Sequence, residues 1–285
     1  MNDPLPAGSS SYALRDPRPG APREINVHVH RPQGYHADSP IVMVVHGRRR
    51  NGRDYLDYFR SESDRHGFLV VAPEFSDAHY PHPHAYNYGG MVDADGKPLP
   101  RDRWLFPAFD AVFQDVRGRA GARRDRFHLF GHSAGSQVVH RLATFAWPDS
   151  IERIVTANAG CYTMPVRGEA FPFGLEGIAF SDDELRTFFS RPLVVQLGDQ
   201  DIDASDEHLP REPGAMRQGP HRFARGQRYF ETAQREAARL GVKLAWRLAI
   251  APGVAHSGQN LAPFAVRELL AAPRMTASPS ASRIS

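Results

Sequence analysis

Short runs of apolar residues, separated by stretches of helical spacing, recur through most of this 285-residue chain. Residues 41–45 and 68–72 hold no polar side chain at all. Runs that short and that apolar are strands covered on both faces. Residues 54–66 between them read as a helix stopped by Gly67. Leu105, Phe109, Val112 and Val116 then recur at helical spacing. Residues 126–130 read as a strand and 134–145 as a helix. Further strands are expected at 153–155, 192–197 and 243–248. A helix carrying Phe230, Ala233, Ala237 and Leu240 precedes the last of these, and another at 258–270 follows it. Residues 25–30 alternate with period two, as a half-exposed edge strand does. Alternation of this kind predicts an α/β fold around a mostly parallel sheet, with helices on both faces.

The organisation predicted is a loose Pro/Gly/Ser-rich arm over 1–20, one domain over 21–275 and a frayed tail over 276–285. Two long segments, 76–101 and 161–190, break the alternation. The second is expected to act as a lid or binding wall. No run reaches the length of a membrane span, and the start lacks the basic and apolar regions of a signal peptide. A cytoplasmic location is the expectation.

Charge narrows the function classes. The formal charge is +3, from 35 basic and 32 acidic residues. Only Lys97 and Lys243 are lysines, which leaves 33 arginines. Nucleic-acid binding would want a basic stripe and a larger net charge. The single cysteine, Cys161, excludes an internal disulfide and any multi-thiolate zinc site, and reads as a small core residue. His79, His82 and His84 lie in a Pro-rich loop with only Asp77 beside them, so no metal site is expected.

In an open parallel sheet, ligands bind beyond the carboxyl ends of the strands. The strand ending at Phe130 runs into Gly131-His132-Ser133-Ala134-Gly135, and a helix follows at once. That pattern arises by chance roughly 0.1 times in a chain of this size, and less often between a strand and a helix. The turn lifts the Ser133 hydroxyl off the sheet and tolerates only small flanking residues. A serine needs a base, and the base needs an acid to orient it. The strand ending at Leu197 leads to Asp199, Asp201 and Asp203, and the last strand leads to His256. Serine, aspartate, histidine is the chain order of a nucleophile-elbow triad. Asp201 is preferred to Asp199, which follows the turn glycine too closely. The strand ending at Val45 leads to His46-Gly47-Arg48. Backbone N–H groups of Arg48 and Ala134 are the expected oxyanion donors, worth about 3–4 kcal/mol each. Arg49 and Arg50 are expected on a solvated face.

With these residues in view, the chain resembles the α/β-hydrolase superfamily over about residues 25–271. It is most similar to bacterial esterases of the polyhydroxyalkanoate-depolymerase and feruloyl-esterase type, through His46-Gly47 and the helix start at Asn51-Gly52-Arg53-Asp54-Tyr55. The resemblance implies a sheet of eight strands with one antiparallel edge strand, and ester hydrolysis without a cofactor. A secreted polymer-degrading enzyme would carry a signal peptide, which sets extracellular degradation apart from this expectation. The predicted activity is cleavage of carboxylic esters by Ser133, His256 and Asp201. Amide cleavage by the same triad is the alternative, and an inactive binding protein on this fold a more distant one. The expected partner is a small-molecule or oligomeric ester, with no nucleic acid, and a homodimer as the only self-association considered. His132, Tyr86, Trp104, Tyr162 and Phe173 are the candidate substrate contacts. They predict an aromatic-walled cleft with arginine at its mouth.

Overall fold

A computed structural model describes residues 3–20 and 23–271; the tail expected over 276–285 lies outside the described residues. In chain order the elements are β1 (Gly8–Arg15), β2 (Glu24–Arg31), β3 (Ile41–Val45), α1 (Gly52–His66), β4 (Leu69–Glu74) and the single-turn α2 (His82–Ala85). Then come α3 (Pro107–Ala120), β5 (Phe127–His132), α4 (Ala134–Phe145), β6 (Ile151–Ala157), α5 (Asp182–Ser190) and β7 (Leu193–Gly198). The chain closes with α6 (Pro213–Gln218), α7 (Arg222–Arg239), β8 (Arg247–Ala251) and α8 (Gly258–Leu269).

The eight strands form one sheet in the order β1-β2-β4-β3-β5-β6-β7-β8. β2 runs antiparallel to both neighbours, and every pairing from β4 to β8 is parallel. The apolar strands are covered on both sides. Ile41, Met43 and Val45 join a core shared with α3, α4 and α7, while Val42 and Val44 join one shared with α1 and α8. Consecutive strand residues thus serve opposite cores, which is why the run carries no polar position.

Four expectations need correction. The arm over 1–20 contains β1, which pairs with β2 from Gly8↔Arg31 to Arg15↔Glu24. Its serines are not loop residues: Ser9 Oγ bonds His30 Nδ1 at 3.0 Å, and Ser11 Oγ bonds His28 Nδ1 at 2.7 Å. Consequently β2 is the second strand, not the edge, and the one antiparallel strand of the sheet is internal. The last strand lies at Arg247–Ala251 rather than 243–248. Trp246 is instead drawn into the core against Phe188, Phe189 and Tyr229, with its indole N–H on the Phe188 carbonyl.

The segment 161–190 is no lid. Phe171 and Phe180 pack on Phe145, and Phe188 and Phe189 on Trp246. Fully buried Arg141 on α4 pins it further, donating to Thr163 Oγ1 and the Pro172 carbonyl as well as to the Asn87 and Gln137 carbonyls. Buried aromatics hold a segment down; a lid must lift.

Candidate active site

Ser133 sits between β5 and α4 at φ 57°, ψ −117°, in a region that non-glycine residues seldom adopt. Such a conformation costs on the order of 1–3 kcal/mol and persists only when its surroundings impose it. The flanking glycines are part of that imposition. A Cβ on Gly131 would lie 2.5 Å from the Gly135 carbonyl oxygen, and one on Gly135 would lie 2.6 Å from that of His46. The turn therefore packs backbone on backbone, against the end of β3.

Opposite Ser133, the β7 and β8 ends bring the other two groups. His256 Nε2 lies 3.0 Å from Ser133 Oγ, and its Nδ1 lies 2.7 Å from Asp201 Oδ2. With Nδ1 protonated, the ring donates to the carboxylate and accepts from the serine. Asp201 is buried, and its Oδ2 also accepts from Asn158 Nδ2 at 2.5 Å. Buried Arg222, at the start of α7, places a guanidinium nitrogen 3.7 Å from Asp201 Oδ1 and 2.6 Å from Asp206. Asp199 takes a different part. Its carboxylate accepts from the Gly253 N–H at 2.8 Å, tying the turn after β7 to the loop that carries His256.

The turn after β3 passes close by: a Cβ on Gly47 would lie 3.6 Å from Ser133 Cβ. Arg48 and Ala134 both line the cleft over Ser133. As the first residue of α4, Ala134 has no carbonyl of its own helix for its N–H. The turn is held from beneath. His46 is fully buried and kept neutral, its pKa pushed down to about 3 chiefly by desolvation. Its Nε2 accepts from the Phe75 N–H at 3.0 Å.

Tyr86 stacks on the His46 ring and donates to the His46 carbonyl at 2.5 Å. Arg50 is likewise buried, against expectation, over the Tyr86 ring and on the Phe75 and Tyr80 carbonyls, while Arg49 is exposed.

The cleft above Ser133 has a volume of about 580 Å³. Of the five candidate substrate contacts, only His132 lines it. Its ring lies 4.6 Å from that of His256, and its Nδ1 shares a 2.7 Å hydrogen bond with the Tyr55 hydroxyl. Burial holds its pKa well below the ordinary histidine range. Tyr86, Trp104, Tyr162 and Phe173 are elsewhere, and the aromatic-walled cleft is corrected with them. Tyr86 is under the Gly47 turn, Trp104 bonds the Leu99 carbonyl, Tyr162 stacks on Tyr229, and Phe173 packs over Gly214. The two long segments spend their aromatics on anchoring themselves.

The cleft is walled instead by Arg48, Arg49, Arg222, Tyr55, Tyr58 and His208. Asn158 was legible in principle, since it directly follows a strand; the charged start of β6 hides that strand's true length. Arg222 and His208 sit in polar sequence that carries no signal. Among the described residues, no group of His, Cys, Asp and Glu is placed to hold a metal. Among the same residues, no helix is long and apolar enough to cross a membrane.

A nucleophile-type elbow at the carboxyl edge of this sheet defines an α/β-hydrolase. The sequence matches no protein-family model and no curated protein. Solved structures do match. LpqC, a poly(3-hydroxybutyrate) depolymerase from Bordetella parapertussis, is 39% identical over 92% of this chain and 88% of its own, with a TM-score of 0.86. Poly(aspartic acid) hydrolase-1 from Sphingomonas sp. KT-1 is 35% identical over 93% and 99%, with a TM-score of 0.88. The serine hydrolase FphF from Staphylococcus aureus, 15% identical over 93% and 98% with a TM-score of 0.57, shares the fold. The chain belongs to the α/β-hydrolase family, in its esterase and depolymerase branch, and is a hydrolase.

Proposed function

We propose that the protein hydrolyses carboxylic esters through an acyl-enzyme on Ser133. His256 Nε2 takes the Ser133 proton as Oγ attacks the ester carbonyl carbon. The carbonyl π electrons move to oxygen, and the Arg48 and Ala134 N–H groups stabilise that oxyanion. Collapse expels the alcohol, which receives the proton from His256. Water, deprotonated by the same ring, then attacks the acyl carbon and returns Ser133 and a carboxylic acid. Asp201 holds the imidazole in the tautomer this requires. The observation that carries the reading is the continuous row from Ser133 Oγ through His256 to Asp201, at 3.0 and 2.7 Å. The likeness to a poly(3-hydroxybutyrate) depolymerase favours an ester bond.

A second reading, amide cleavage in an acidic substrate, is favoured by the cleft's charge and by the likeness to a poly(aspartic acid) hydrolase. Four arginines line the cleft against Asp77 and Asp206. Those two aspartates pair with Arg50 and Arg222, which leaves Arg48, bonded to His208, and Arg49 lining the cleft with no carboxylate partner among the described residues. The test is a panel of p-nitrophenyl esters of rising chain length, neutral and carboxylate-bearing, beside aminoacyl anilides. Ester turnover that falls by roughly 10³-fold or more in Ser133→Ala is the expected result. Near-normal ester hydrolysis by that variant would end the proposal, and faster anilide than ester cleavage would favour the second reading.

A further inference from the structure

Asn158 holds the buried Asp201 carboxylate through a hydrogen bond of its own side chain. It directly follows β6 and lies at φ 46°, in the left-handed region that asparagine tolerates better than most residues. The side chain is fully buried and both its polar atoms are used. Its Nδ2 donates to Asp201 Oδ2 at 2.5 Å, and its Oδ1 accepts from the Gly198 N–H at 2.9 Å. Gly198 ends β7 and begins the turn that carries Asp201. One amide therefore fixes both the origin of the turn and the carboxylate at its far side.

The oxygen it grips is also the one that receives His256 Nδ1 at 2.7 Å. Two donors on Oδ2 restrict rotation of the carboxylate, while Arg222 faces Oδ1. The amide does this without a charge, so it orients the carboxylate without competing for it as a cation would. A strand end that needed only packing would not require a buried amide with partners at both ends.

We infer that Asn158 is a positioning residue for the acid of the triad, acting on turnover through Asp201 and His256. This rests on the triad reading given above. Loss of one hydrogen bond to a buried charged acceptor corresponds to about a 10- to 100-fold change.

The test uses the full chain with p-nitrophenyl acetate. Asn158→Ala lowers kcat about 10- to 100-fold and leaves KM within about twofold. The isosteric Asn158→Asp supplies a readout that simple loosening would not move. A carboxyl at this position donates to Asp201 only while protonated, and repels it once ionised. Turnover of Asn158→Asp relative to the unsubstituted protein therefore falls from about pH 6 to about pH 9.

Normal kcat in Asn158→Ala overturns the inference. So does a loss in Asn158→Asp that does not vary with pH, which would mark a purely structural role. Ser133→Ala, run beside them, separates the two levels. Activity surviving in Ser133→Ala defeats the triad itself, whereas an inactive Ser133→Ala with a normal Asn158→Ala defeats only this inference.

Discussion

At the scale of single residues, the site is a set of constrained conformations rather than a set of unusual side chains. Ser133 at φ 57° is held by glycines on both sides and by the β3 turn beneath them. The β3 turn depends in turn on Tyr86, whose hydroxyl and ring both engage His46. The sequence offers Tyr86 as a cleft aromatic, because an aromatic in a long loop near the strand ends has no local mark of burial. Its fixed contacts assign it to the support of the Gly47–Arg48 turn. Tyr86→Phe keeps the ring and the Arg50 stacking, and removes the hydroxyl that donates to the His46 carbonyl and meets His46 Nδ1 at 3.0 Å. We expect kcat for neutral esters to fall about 10-fold with little change in KM, as for a loosened oxyanion turn. A rise in KM confined to bulky esters, with kcat intact, would return Tyr86 to the cleft wall.

At the scale of elements, what was legible follows from how strongly each segment is buried. Strands covered on both faces are dominated by apolar residues, and β3, β4, β5 and β7 read at once from those runs, with Ser133 and Asp201 placed by the ends of β5 and β7. β8 is exposed along one edge, so Lys243 to Trp246 resemble a strand as well as its true residues do. β1 carries almost no hydrophobic signal, because it joins the sheet through backbone bonds and two serine–histidine pairs. It nevertheless covers the edge of β2, and Leu5 just before it is buried with its N–H on the Arg119 carbonyl. A chain beginning at Asp16 should therefore melt several degrees lower and self-associate through the bared β2 edge. Ester turnover at room temperature should stay within about twofold, because β1 lies at the edge of the sheet, away from Ser133. Differential scanning calorimetry and light scattering check this; an unchanged Tm would reduce β1 to a passive arm.

At the scale of the whole molecule, burial of neutral histidines couples the fold to acid. His46, His128, His132 and His140 are all buried, and desolvation is the main cause that lowers each pKa, to about 3 for His46 and about 4 for His128. At two of them an accepted N–H bond also favours the neutral ring, while bonds to backbone carbonyls oppose part of the shift. His46 Nε2 accepts from the Phe75 N–H, and His140 Nε2 accepts from the Thr163 N–H while its Nδ1 donates to the Ser136 carbonyl. A protonated ring cannot accept, so charging either one breaks a buried bond. In the unfolded chain the same rings titrate near the ordinary value of about 6.5. Between that value and the depressed native ones the unfolded state binds more protons, so stability rises with pH. The contribution is fully present above about pH 6.5 and drains away as pH falls toward 4, at up to about 1.4 kcal/mol per histidine per pH unit. For His128 the nearby Glu152, at 3.8 Å, opposes part of the shift. Four such groups can remove on the order of 5 kcal/mol by about pH 5.5, a large share of a typical folding free energy. We expect Tm to fall by on the order of 10 °C between about pH 7.5 and pH 5.5. His140→Gln, which keeps a donor and an acceptor but cannot be charged, should flatten that slope by roughly a quarter. Calorimetry across the range decides it: a level Tm, or a slope that His140→Gln leaves unchanged, would mean these histidines do not govern the acid limit of the fold.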